Sequence, residues 1–102
     1  MDVQLKRGVL EICVLSAMLS EETYGYELIK KISPYVEISE STLYPILRRL
    51  ETGGFVRVRS AEHNGRKYYS ITADGKKKIR EFLTDWADIV KIYEFIKGEY
   101  NE

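Results

Sequence analysis

The chain has 102 residues, 44% of them hydrophobic, enough for one modest core and too few for a second independent domain. Its 16 basic and 16 acidic side chains cancel, and its single cysteine, Cys13, rules out an intrachain disulfide and suits a reducing cytoplasm. One histidine and one cysteine make no zinc set and no catalytic triad, and no phosphate-cradling GxxxxGK[ST] loop occurs, so the expectation is a non-enzyme with no metal and no cofactor.

Residues Leu5 to Leu19 form a helix that is apolar on nearly every side, including Val9, Leu10, Ile12, Cys13, Val14, Leu15 and Met18. Such a helix needs two partners, and in a chain this small the second partner is expected to be another subunit. Lys6-Arg7 precede the apolar run as they would in a signal peptide. Glu11 interrupts it, however, and Ser20-Glu21-Glu22 stand where a small-residue cleavage site belongs. The run is also too short to span a membrane, so no membrane association is expected.

A second helix is predicted over Thr23 to Ser33, with Thr23 as its cap and Pro34 as its stop; Tyr24, Leu28, Ile29 and Ile32 form its apolar side and Lys30 points away. A third follows from Leu43, Ile46, Leu47 and Leu50, whose spacings of three and four make one apolar stripe. The opposite arc carries Ser41, Thr42, Tyr44, Pro45, Arg48 and Arg49. Proline is tolerated near a helix start, so this helix should begin at Ser39 to Ser41 with a serine cap and end at Gly53-Gly54. Hydroxyls and Tyr44 near its N-terminus, with arginines one turn later, suit a DNA major groove. The alternative is the polar back that any amphipathic surface helix has.

Residues 55–59 and 66–71 are rich in β-formers, and Asn64-Gly65 between them signals a hairpin. Arg57, Arg59, Arg66 and Lys67, with His63 at the tip, make it a cationic wing beside the third helix. Net charge by segment is −2 over residues 1–55, +6 over 56–80 and −4 over 81–102, so neutrality overall conceals a local positive field.

Thr72 caps a final helix, and Gly75 in its first turn permits close packing on the wing base. Beyond it Ile79, Trp86, Tyr93 and Tyr100 recur at intervals of seven, with Phe82, Ile89 and Ile96 offset by three. A helix of about 25 residues is close to 40 Å long and overshoots a domain of this size, leaving an aromatic stripe uncovered. The expectation is a homodimer in which this helix packs with the first helix of a partner, through Val9, Cys13, Ile79, Phe82, Trp86, Ile89, Tyr93 and Ile96. Antiparallel packing on the chain's own first helix is the alternative. The fold class expected is α+β, mainly α: a winged helix-turn-helix over residues 1–73 and a C-terminal dimerisation helix over 74–102.

The segments LKRGVLEICVLSAML, TYGYELIKKI, SESTLYPILRRLETGGFV and GRKYYSITADG, with a long helix carrying Trp86, together resemble PadR-like transcriptional regulators of the short type. The resemblance covers residues 5 to about 96. It implies a cytoplasmic, homodimeric winged-helix repressor released from double-stranded operator DNA by a small molecule or cellular signal. By the same resemblance Tyr24, Lys30, Ser41, Thr42, Tyr44 and Arg48, with Arg66 and Lys67 in the wing, contact the operator. Ser41 stands where the family commonly has glycine, which adds a hydroxyl at the DNA face. Trp86 resembles a tryptophan that some multidrug-responsive members use to stack a planar aromatic effector; the favoured alternative is that it simply packs the dimer core. Against DNA binding stands a pI near 6.6, which fits a winged helix used as a protein-interaction module.

Overall fold

The computed structural model describes residues 1–101; Glu102, last in the predicted dimerisation segment, lies outside the described residues. In chain order the elements are α1 (Val3–Ala17), α2 (Gly25–Ile32), α3 (Glu40–Thr52), β1 (Val56–Ser60), β2 (Lys67–Ile71) and α4 (Ala73–Glu99). Helix dominates, with one two-stranded antiparallel ribbon and a long C-terminal helix: a winged helix-turn-helix.

The stripe that predicted α3 is what the fold buries. Leu43, Ile46, Leu47 and Leu50 meet Leu10, Val14, Leu15 and Met18 from α1 and its end, Leu28 and Ile32 from α2, and Val56, Tyr69 and Ile79 from the wing and α4. Ile38 is also buried, so the turn between α2 and α3 hangs on an apolar anchor. The first helix finds its second partner inside the chain: α4 packs on the α1 side that carries Val9 and Ile12. The start of α4 thus covers part of the face expected to meet another subunit, while Val9, half-buried, still lines an open groove there.

Both ends of α3 are informative. Gly54 takes φ +81° while Gly53 stays right-handed, and the Gly54 and Phe55 amides donate to the Glu51 and Leu50 carbonyls at 3.0 and 2.9 Å. That pair of bonds is a Schellman cap, and it turns the chain directly into β1. At the other end Ser39 occupies the cap position, but its hydroxyl meets those of Ser41 (2.9 Å) and Thr42 (3.3 Å) rather than a backbone amide. Pro45 lies in the second turn, not at the start; its missing N–H leaves the Ser41 carbonyl without a helical donor.

Three other boundaries differ from the sequence reading. The first helix runs Val3–Ala17, two residues earlier at each end than expected. The second begins at Gly25, because Thr23 is drawn into the wing: its N–H and C=O exchange hydrogen bonds with Tyr69 at 3.0 and 2.7 Å. The ribbon registers Val56 against Ile71 and Ser60 against Lys67, and the loop closes through Ala61 and Arg66, so Asn64-Gly65 is not a two-residue turn. Only Gly65 has positive φ (+67°), while the Asn64 side chain accepts from the Arg66 amide at 2.9 Å.

Thr72 caps α4 as expected, accepting from the Gly75 amide at 3.1 Å and donating to the Gly54 carbonyl at 2.7 Å. A Cβ on Gly75 would collide with the Phe55 carbonyl and lie 2.6 Å from Ile71 Cγ1. Gly75→Ala is therefore expected to lower stability by about 1–3 kcal/mol, read as a lower urea midpoint at unchanged slope.

Candidate nucleic-acid interface

The face that α3 turns away from the core does not stand alone. Between it and the inner side of the wing lies an open cleft of about 540 Å³, lined by Tyr24, Tyr26, Tyr44, Arg48, Arg66 and Lys67 among others. Local geometry explains why these side chains converge. The wing returns immediately after α3 through the Gly54 cap, and the bridge from Thr23 to Tyr69 ties the start of α2 to β2. Gly25 lets Tyr44 lie against the N-terminus of α2; a Cβ there would be 3.0 Å from Tyr44 Cζ and closer still to its hydroxyl.

Five residues predicted to contact DNA thus share one cleft: Tyr24, Tyr44, Arg48, Arg66 and Lys67. Ser41 and Thr42 do not join them. They face the opposite flank of α3, in a groove shared with Lys6 and Arg7 of α1. Lys30 is exposed on α2 and lines neither groove. The sequence reading missed Tyr26, Glu40 and Glu51, all on the cleft wall. Glu40 and Glu51 could have been found, since on a helix spacings of four from Tyr44 and three from Arg48 put them on one side.

Electrostatics divides the cations into free and engaged. Arg49, on the predicted polar arc, is paired with Glu11 of α1 at 3.2 Å. Arg59 is held by both oxygens of Glu22, Nε at 2.9 Å and Nη2 at 2.6 Å. The Arg59 hydrogen bond, with its charge, holds the Glu22 carboxyl below the ordinary carboxylate range despite some desolvation. Arg48, Arg66 and Lys67 have no such carboxylate partner among the described residues and open on the cleft. At its floor, burial and then Tyr44 and Glu51 push the Tyr69 phenol up, against a smaller opposing effect of Arg48. Positive charge, phenol hydroxyls and a helix edge facing one opening can read phosphates and base edges together.

The other predicted surface divides too. Phe82, Trp86 and Ile89 line a groove of about 420 Å³ with Leu5, Val9 and Ile12 of α1, and the Phe82 and Trp86 rings stack at 5.6 Å and 19°. Tyr93 and Ile96 lie further along α4 and are exposed, with Leu83, Val90, Ile92, Phe95 and Tyr100, which the heptad reading did not single out apart from Tyr100. Ile79, in contrast, is 8% exposed and spent in the protomer's own core. Cys13 faces α2, beside Lys31 and Tyr35, and not the groove that holds Val9. Burial pushes its thiol up, which suits a packing role rather than a nucleophile. No helix is long and apolar enough to cross a membrane among the described residues.

Comparison with known proteins matches this arrangement to regulators of transcription. A transcriptional regulator from Clostridium thermocellum superimposes with a TM-score of 0.80 at 26% identity, covering 100% of this chain and 99% of its own. A PadR-like transcription factor from Bacteroides fragilis gives 0.82 at 28% identity over 91% and 94% of the two chains. A Streptococcus transcriptional regulator gives 0.80 at 34% identity over 94% and 99%. An uncharacterised protein of Lysinibacillus sphaericus is 33% identical over 100 residues, 90% of this chain and 92% of that one. The model of the transcriptional regulator PadR-like family matches residues 14–81, from α1 through the wing into α4. This chain is a member of that family, a DNA-binding regulator of transcription and not an enzyme.

Proposed function

We propose that the protein is a homodimeric cytoplasmic repressor that grips a duplex operator with α3 and the wing and is released by a small planar effector. The observation that carries the DNA reading is the cleft in which Tyr44 and Arg48 of α3 face Arg66 and Lys67 of the wing. In this reading α3 enters the major groove, with Ser41 and Thr42 on its far flank beside Lys6 and Arg7, and the wing follows the adjacent backbone. Lys30 is a peripheral phosphate contact.

The dimer reading rests on α4. Its apolar residues from Val90 to Tyr100 run beyond the groove on α1 and are exposed on a protomer whose longest dimension is 61 Å. Val9, Phe82, Trp86, Ile89, Tyr93 and Ile96 would face the second subunit, making residues 74–102 the dimerisation segment; its first turns also belong to the winged domain through Gly75 and Ile79. Trp86 remains 38% exposed in the groove beside α1, where its mate across a two-fold axis could complete a sandwich around a flat ring.

Fluorescence anisotropy on a labelled duplex from the gene's own upstream region, against a scrambled duplex and across salt, tests the first part. Tight, salt-steep preference for the native duplex supports the reading; equal weak binding to both counts against a local operator. Quenching of Trp86 by planar aromatic compounds, with release of the duplex, tests the second. If such compounds leave both signals unchanged, Trp86 packs the dimer and nothing more.

A further inference from the structure

The outer face of the wing carries a chain of contacts that the DNA-binding reading does not use. The Arg59 guanidinium, gripped by Glu22, lies 4.7 Å over the Tyr68 ring. Tyr68 meets Tyr24 edge to face at 5.7 Å, and the Arg66 guanidinium lies 4.2 Å over Tyr24. Tyr24 is fixed at its other end, its hydroxyl donating to Glu27 at 3.3 Å. Five side chains from three separate segments therefore form one unbroken run, Glu22–Arg59–Tyr68–Tyr24–Arg66. Strand alternation explains the placing: Arg59 and Tyr68 are register partners, so they share a face, opposite the face where Val58 and Tyr69 meet the cleft. Of the five, only Tyr24 and Arg66 also line the cleft.

We infer that Glu22, Arg59 and Tyr68 are positioning residues for DNA binding, which hold Tyr24 and through it Arg66 at the mouth of the cleft, and that Arg59 is not itself a phosphate contact. The inference rests on the DNA reading above. Its physical basis is preorganisation. A free arginine must give up rotamer freedom when it meets a phosphate, whereas one already stacked on a ring that is itself held has lost it in the free protein. A cation locked to a carboxylate on the far face releases no counterion from DNA when the complex forms.

The test is a salt titration of duplex binding, native and scrambled, for wild-type protein and for Glu22→Gln, Arg59→Gln, both together, Tyr68→Leu and Arg66→Gln. The expected result is that Glu22→Gln, Arg59→Gln and the charge-neutral Tyr68→Leu each weaken binding about five-fold at unchanged salt slope. The Glu22→Gln/Arg59→Gln double variant should lose no more than either single, since both break one link. Arg66→Gln should instead lower the slope by about 1.8, the signature of one lost phosphate contact in each of the two subunits. The inference is overturned if Arg59→Gln lowers the slope by that amount, or if Glu22→Gln tightens binding and steepens it, because Arg59 would then be a phosphate contact under restraint. Wild-type protein that binds neither duplex overturns the DNA reading itself, a result distinct from either. Glu22, Arg59 and Arg66 are exposed and Tyr68 is half-buried, and unchanged circular dichroism melts will show that the fold is not what moved.

Discussion

Reversing charge at Arg48 and Arg66 together, Arg48→Glu with Arg66→Glu, is expected to abolish duplex binding while the dimer persists. Arg48 projects from α3 and Arg66 from the wing, on opposite walls of one cleft, and neither has a carboxylate partner among the described residues. Neutralising two phosphate contacts in each of the two subunits alone removes about 3.6 from the salt slope. Reversal adds repulsion from the same phosphates, so affinity should fall at least about a hundred-fold near physiological salt. Anisotropy supplies the first readout and light scattering the second. Normal operator binding by this variant would mean that the cleft is not the DNA face, and a winged helix serving a protein partner would become the better account.

The second large effect is expected at the other end of the molecule. Ile89→Glu with Ile96→Glu places two carboxylates on the exposed stripe of α4, seven residues apart and so on one face. In an isologous dimer every substitution counts twice, and each buried isoleucine lost forfeits about 1.5–3 kcal/mol of apolar transfer before any charge is desolvated. Dimer dissociation should rise by at least about a thousand-fold, giving a monomer at micromolar concentration in sedimentation velocity. Both positions are largely exposed within the protomer, so its winged domain should melt as before. Operator affinity should collapse as well, since two half-sites about 34 Å apart can be held together only by a dimer. A double variant that stays dimeric places the interface elsewhere.

The fold was legible wherever a local rule decides it. Leu43, Ile46, Leu47 and Leu50 announce α3 because helical spacing and burial are the same fact seen twice. Gly54 and Thr72 are legible because a left-handed cap and a hydroxyl cap act within four residues. The wing was legible from its β-formers, but its loop was not. Asn64-Gly65 is the sequence of a tight turn, and Ala61 and Arg66 close a longer one around it. Pro45 pointed correctly to a start within Ser39–Ser41, and it sits in the second turn because a helix held by four buried side chains tolerates one missing bond there.

By itself the sequence determined the arrangement of apolar and polar arcs, the positive segment over 56–80 and the long α4 stripe, because each depends on residue type and spacing alone. Only the tertiary structure decided which cations are free. Arg49 finds Glu11 across 38 residues and Arg59 finds Glu22 across 37, and no periodicity links positions that distant. It also decided that Ser41 and Thr42 turn to α1 rather than to the wing, that Thr23 joins the sheet instead of capping α2, and that Ile79 belongs to the protomer's core. Each of these follows from the angle at which one element packs on another, and that angle is set by the filling of a shared core, not by any one segment.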